Sequence, residues 1–255
     1  YSILEKHKEN LKSKVGTELR IEKILVKDID KKRDIDFDKA LLTNNVEDIL
    51  ENPEIDLIVE LIGGEEPAYQ YIVQALKNGK AVVTANKLLI ARYGQEIMGL
   101  AAEKGVSVSF EASVAGGIPI IRPLRESFAA NKIERIYGIL NGTTNYILTK
   151  MTEEGQDFQL ALKEAQKLGY AESDPSSDIS GTDAAYKIAI LSSLAYETAI
   201  DIKDVHIEGI ENIEIEDIEL AKELGYLIKL LAISKFTPDG IDIRVHPAFI
   251  PEYHP

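Results

Sequence analysis

Apolar positions along this chain change their spacing several times, and each change marks an expected element. Residues 1–15 put Ile3, Leu4, His7, Leu11 and Val15 on one face of a helix. Residues 20–27 (RIEKILVK) predict a strand, and a charged stretch then leads to a short helix around 46–50. The apolar run DLIVELI at 56–62 ends in Gly63-Gly64 and predicts a strand buried on both faces. Residues 67–78 have helical periodicity, with Pro67 in the first turn and Gly79 just past the end. Residues 81–84 predict a strand, 88–104 a helix stopped by Gly105, and 106–110 a further strand.

Strands and helices alternating at this spacing imply βαβ units, hence an α/β fold with a parallel sheet. Such sheets bind ligands at the carboxyl ends of their strands. Those ends here are Gly63-Gly64, Thr84-Ala85-Asn86-Lys87 and Glu111-Ala112-Ser113, polar or glycine-rich where the strands are apolar. From about Ile118 the pattern changes. Helices are expected at 119–130, 146–151, 157–168, 184–196 and 215–224, and strands at 133–140, 226–235 and 241–245. This is an α+β arrangement, so a domain boundary is placed near residue 112, dividing 1–112 from 113–255.

Composition narrows the chemistry. The net charge of -14 argues against nucleic acid and anionic membrane surfaces as partners. With no cysteine there is no disulfide, thiolate metal site or cysteine nucleophile, which fits a cytoplasmic setting. The four histidines are scattered, so a histidine-held zinc lacks ligands. No apolar run approaches the roughly 20 residues of a membrane span. The chain starts at Tyr1 inside a helical pattern and stops just after a strand-like one, as expected of a fragment of a longer protein.

The densest chemistry lies in GYAESDPSSDISGTDAAYK at 169–187. Four carboxylates (Glu172, Asp174, Asp178, Asp183) precede Lys187 in a turn rich in Ser, Asp and Gly, suited to hold a cationic group beside a proton-carrying lysine. Asp183 and Lys187, four apart, share a helix face. They form either a surface ion pair or, given the apolar residues that follow, a partly buried and oriented one. Gly63-Gly64 fits a nucleotide-approaching turn or simply a tight one. Lys87 fits either a crevice-facing cation or a solvated helix start. Glu111 and the turn at 114–117 could face a hard cation or form a bend between domains. Lys27, Lys31, Lys32 and Arg33 suit a 2′-phosphate or a solvated loop.

Five motifs in order resemble the homoserine dehydrogenase family: GGEEPA (63–68), TANK (84–87), FEASVAGGIPII (110–121), NGTTNYIL (141–148) and the 169–187 segment. The resemblance implies a Rossmann-like cofactor domain whose first strand and G-x-G-x-x-G turn lie before Tyr1. A catalytic and dimerisation domain that continues past residue 255 would follow. It implies NAD(P)-dependent interconversion of L-homoserine and L-aspartate 4-semialdehyde. Lys187 would be the general acid, oriented by Asp183, with Lys87 the second lysine of the site. Glu172, Asp178 and Asp183 would bind substrate, and Gly63, Gly64, Thr84, Ala85, Lys87 and Gly169 would lie against NADP or NAD. Glu111 with the carbonyls of Val114, Gly116 and Ile118 would match a sodium-binding turn, and the second domain's sheet would build a homodimer. The alternatives are another amino-acid or hydroxy-acid dehydrogenase of this fold, or a non-catalytic nucleotide-binding fragment.

Overall fold

A computed structural model describes residues 1–254. The N-terminal segment forms two short, solvent-facing helices, α1 (Ser2–Lys6) and α2 (Lys8–Val15). Of the strand expected at 20–27, only β1 (Ile24–Leu25) is paired, in parallel with β2 (Leu42–Thr43). Arg20 and Glu22 pair with each other at 3.4 Å in solvent instead of entering a ladder. Helix α3 (Glu47–Leu50) follows, buried through Leu50.

The next elements are β3 (Leu57–Glu60), α4 (Ala68–Lys77), β4 (Ala81–Thr84), α5 (Lys87–Lys104) and β5 (Val108–Ser109). They make a three-stranded parallel sheet in the order β3-β4-β5. One expectation is corrected here. Strand β3 is an edge strand with one covered face, and Leu57 and Val59 on the other face are 47% and 54% exposed. The helix expected at 119–130 is also altered: Pro123–Ser127 winds as a π-helical turn. Pro123 brings no N–H to an α-helical ladder.

The second half contains β6 (Arg135–Gly138), α6 (Gly142–Glu154), α7 (Phe158–Lys167), α8 (Ser176–Ile179) and α9 (Thr182–Ala195). It continues with β7 (His206–Ile207), α10 (Ile215–Glu223) and a long hairpin, β8 (Tyr226–Thr237) and β9 (Gly240–Pro251). These strands form one sheet in the order β6-β8-β9-β7. Among the described residues, no helix is long and apolar enough to cross a membrane.

Two apolar cores result. The first gathers Leu50, Ile72, Leu76, Leu89 and Ile97; the second gathers Ile147, Leu148, Met151, Ile210 and Ile228. Helix α9 serves both: Ala184, Ala185 and Ile188 enter the second core, while Ile190 and Leu191 enter the first. Its start is fixed by a close approach at Gly209. A Cβ there would stand 2.3 Å from the Ile179 carbonyl oxygen, the same oxygen that accepts the Ile210 N–H at 2.8 Å. A helix held from two sides this way keeps its first turn rigid at the junction of the cores.

Candidate active site

Asp183 stands in the first turn of α9 with only 4% of its surface exposed. A buried carboxylate needs donors, and this one has three. Lys187 Nζ donates to Oδ2 at 2.6 Å, Lys87 Nζ approaches Oδ1 at 2.8 Å, and the Asn141 amide donates to Oδ2 at 2.9 Å. Burial alone pushes the Asp183 carboxyl upward; the bonds from Lys187, Lys87 and Asn141 outweigh it and hold the group below the ordinary aspartate value. Lys187 also donates to the Leu140 carbonyl at 2.8 Å, so two acceptors aim its ammonium. The two lysines come from different layers, Lys87 from the start of α5 and Lys187 from α9. One carboxylate therefore draws the sheet edge and the second half of the chain to the same point.

These groups line a cleft of about 790 Å³ together with Gly142, Thr143, Asn145, Tyr146, Thr149, Gly169, Glu172 and Asp178. Glu172 and Asp178 border it, and Asp178 accepts the other contact of the Asn141 amide at 2.7 Å. Part of the segment expected to be a turn is helix α8, which carries Asp178. Gly169 falls on this cleft, not on the smaller pocket by the sheet.

The smaller pocket, about 280 Å³, lies at the carboxyl ends of β3 and β4 and is lined by Gly63, Gly64, Ala85, Asn86 and Lys87 among others. Gly63 and Gly64 have φ of 75° and 71°, a left-handed backbone that favours glycine. A buried carboxylate, Glu60, holds their turn: Oε1 accepts the N–H groups of Ile62 and Gly63 at 2.7 and 3.0 Å, and Oε2 accepts the Thr84 hydroxyl at 2.6 Å. Thr84 is therefore no lining residue. It is 1% exposed, and its hydroxyl is spent on Glu60 and on the Asn86 N–H. Asn86 caps α5 and donates to the Gly64 carbonyl at 2.8 Å. Lys87 belongs to both pockets.

Glu111 is committed elsewhere. Its oxygens accept the N–H groups of Ile120, Ile121 and Arg122 at 2.6, 2.9 and 2.9 Å. Burial raises its carboxyl and these backbone donors more than reverse that, so it lies below the ordinary glutamate value. Val114, Gly116 and Ile118 follow it through a turn where Ala115 has φ of 50°. Among the described residues no group of three or more His, Asp or Glu gathers as a metal site. Arg33 of the basic cluster folds back on its own loop, donating to the carbonyls of Asp28 and Lys31 at 2.7 and 2.8 Å. Neither Asn141 nor Glu60 was among the expected site residues. The signal for Glu60 was present as a lone acid inside an apolar strand.

Family comparisons fit this geometry. Residues 119–255 match the family model described as homoserine dehydrogenase, and residues 2–111 match its NAD binding domain. The chain belongs to the homoserine dehydrogenase family. The homoserine dehydrogenase of Bacillus subtilis is 47% identical over 99% of this chain, and that of Neisseria gonorrhoeae is 46% identical over 98%. The chain spans 58% of the length of each. A crystal structure of the homoserine dehydrogenase from Thiobacillus denitrificans superposes with a TM-score of 0.92 at 48% identity, covering 99% of this chain and 58% of that one. A hyperthermophilic archaeal homoserine dehydrogenase solved in complex with NADPH superposes with a TM-score of 0.71 at 30% identity, over 97% of this chain and 67% of its own. The Rossmann-like NAD-binding part and the catalytic part expected of the homoserine dehydrogenase family are thus both present in the fold.

Proposed function

We propose that the protein to which this chain belongs interconverts L-homoserine and L-aspartate 4-semialdehyde with a nicotinamide cofactor. The observation that carries this reading is Asp183, buried in the larger cleft and bonded to two lysines, one of which, Lys87, lines both pockets. In reduction, Lys187 gives its proton to the aldehyde oxygen as the carbon becomes tetrahedral, and it recovers a proton afterwards from solvent. In oxidation, neutral Lys187 takes the hydroxyl proton. Asp183 fixes the Lys187 ammonium through Oδ2 and the Lys87 ammonium through Oδ1, leaving Lys87 beside the pocket at the strand ends. Glu172 receives the substrate ammonium, with Asp178 extending the negative wall.

The pocket of Gly63, Gly64, Ala85 and Lys87 is the proposed nicotinamide side, because two left-handed glycines leave open backbone there. A bound nicotinamide would supply or accept the hydride. NADP is the favoured form, since the archaeal relative was solved with NADPH and Lys27, Lys31 and Lys32 lie near the end of β1. Residues 1–112 would form the cofactor domain and 113–255 the catalytic and dimerisation domain, in a cytoplasmic homodimer joined through the four-stranded sheet. Tyr137, 59% exposed and in register with Ile233 on the sheet face turned away from the core, supports that face. A sodium ion would sit on the carbonyls of Val114, Gly116 and Ile118, oxygen ligands that suit a hard cation, with Glu111 beside them holding the turn through the N–H groups of Ile120, Ile121 and Arg122.

The test is oxidation of NADPH by the full-length protein with aspartate semialdehyde. Lys187→Ala is expected to lower kcat by about 10²–10⁴-fold. A variant that keeps the wild-type kcat removes Lys187 as the proton carrier.

A further inference from the structure

Lys229 is a charge inside the apolar strand β8, and the mechanism above gives it no work. Its ammonium donates to Asn145 Oδ1 at 3.0 Å and to Thr149 Oγ1 at 2.9 Å. Among the described residues it makes no ion pair. Burial lowers its pKa from the ordinary lysine value, and Glu153 opposes this only through space. Both residues it holds are on α6, one turn apart, and both line the substrate cleft.

The direction of these bonds has a chemical consequence. An ammonium has donors only, so it takes the oxygen side of each partner. The Asn145 amide is left with its NH₂ group, and the Thr149 hydroxyl with its proton, as what they offer the cleft. The α6 wall is thereby a donor wall backed by an ammonium, in the same cleft as the acceptors Glu172, Asp174 and Asp178. Asn145 lies one turn beyond Asn141, which touches Asp183; that is about 6 Å along the axis at 1.5 Å per residue. The step is comparable with the length of a four-carbon amino acid.

We propose that Lys229 is a positioning residue that makes Asn145 and Thr149 the subsite for the substrate's carboxylate. The inference rests on the amino-acid substrate proposed above. With it the cleft reads both ends of a zwitterion: the ammonium at the acidic wall, the carboxylate at α6, and the reacting carbon left beside Lys187.

The experiment compares L-homoserine with 3-aminopropan-1-ol, the same alcohol without its carboxylate, in the full-length protein. Lys229→Met is expected to raise KM for homoserine about 10- to 100-fold while leaving kcat/KM for the amino alcohol within a few-fold. Asn145→Asp supplies a second reading that folding cannot confuse. It gives Lys229 a carboxylate partner, so the melting temperature should hold or rise. It also replaces the NH₂ donor by an anion, so the homoserine KM should still climb. A wild type that turns over homoserine, with variants that keep its KM or lose both substrates equally, overturns the Lys229 assignment alone. A wild type inert toward homoserine overturns the proposed function and this inference with it.

Discussion

Two buried carboxylates border the two pockets that Lys87 lines, and they are held in opposite ways. Glu60, 5% exposed, is satisfied by neutral donors: two backbone N–H groups and the Thr84 hydroxyl. Asp183, 4% exposed, is satisfied by two ammonium groups and one amide. Neutral donors from adjacent backbone fix the shape of a turn and leave no mobile proton. Two ammonium groups on one carboxylate fix the places of groups that can give and take protons. The comparison separates a region that shapes from a region that reacts, although each is built around one acid of similar burial.

The largest effect should come from making Asp183 resemble Glu60. Asp183→Asn keeps the shape and removes the charge, leaving Lys187 and Lys87 unanchored and mutually repelling. A fall in kcat of about 100-fold is expected from misplacement of the proton carrier, measured by NADPH oxidation in the full-length protein. The same residue sets a pH signature in stability. Its pKa is depressed in the fold, because the bonds from Lys187, Lys87 and Asn141 overcome the burial that would raise it. Its contribution is therefore full above the unfolded aspartate value of about 3.9 and is lost as pH falls through the lower folded value. Melting temperatures followed from pH 7 into that acid range should drop more steeply for wild type than for Asp183→Asn. Parallel curves would mean that the pair holds no such linkage.

How much of this contrast was legible in the sequence follows from what each carboxylate depends on. Asp183 and Lys187 were readable because a four-residue spacing on a helix is local and fixes their mutual position. The parallel βαβ order was readable because β3, α4, β4 and α5 each carry their own periodicity and stops. That Lys87 meets Asp183 was not readable from spacing. Their contact depends on α9 lending Ile190 and Leu191 to the first core, a packing arrangement with no local signature. The exposed face of β3 was misread for a similar reason: an apolar run reports hydrophobicity, and which neighbours cover each face is a tertiary matter. The resemblance implied Thr84 against the cofactor, and no local pattern could show that its side chain turns inward to Glu60.

A smaller effect tests the other side of the comparison. Glu60→Ala removes the acceptor for Ile62, Gly63 and Thr84 together; the Thr84 hydroxyl is buried, and leaving a buried donor unpaired costs about 1–3 kcal/mol. Thermal melting should register that loss. The kinetic signature should be a raised KM for cofactor, about 10-fold, with kcat nearly kept, since the turn at Gly63 loosens while Asp183 and its lysines stay in place. A collapse of kcat at normal cofactor KM would show that Glu60 belongs with the reacting region after all.

The smallest expected effect concerns whether the two regions communicate across the surface. Arg92 of α5 pairs with Glu65, in the loop after Gly64, at 2.6 Å and reaches the Tyr186 hydroxyl, next to Lys187, at 3.4 Å. It is an obvious bridge between the shaping turn and the reacting helix. Its side chain is 41% exposed, however, and exposed pairs contribute only about 0–1 kcal/mol. Helix α9 is already pinned by Ile188 in one core and by Ile190 and Leu191 in the other, so an outer contact adds little to its position. Arg92→Ala should therefore shift the melting temperature slightly and change kcat and cofactor KM by less than about three-fold, with any residual stability difference fading at high salt. A loss of kcat approaching that of Asp183→Asn would break the separation of roles, because the surface bridge would then be setting the place of Lys187.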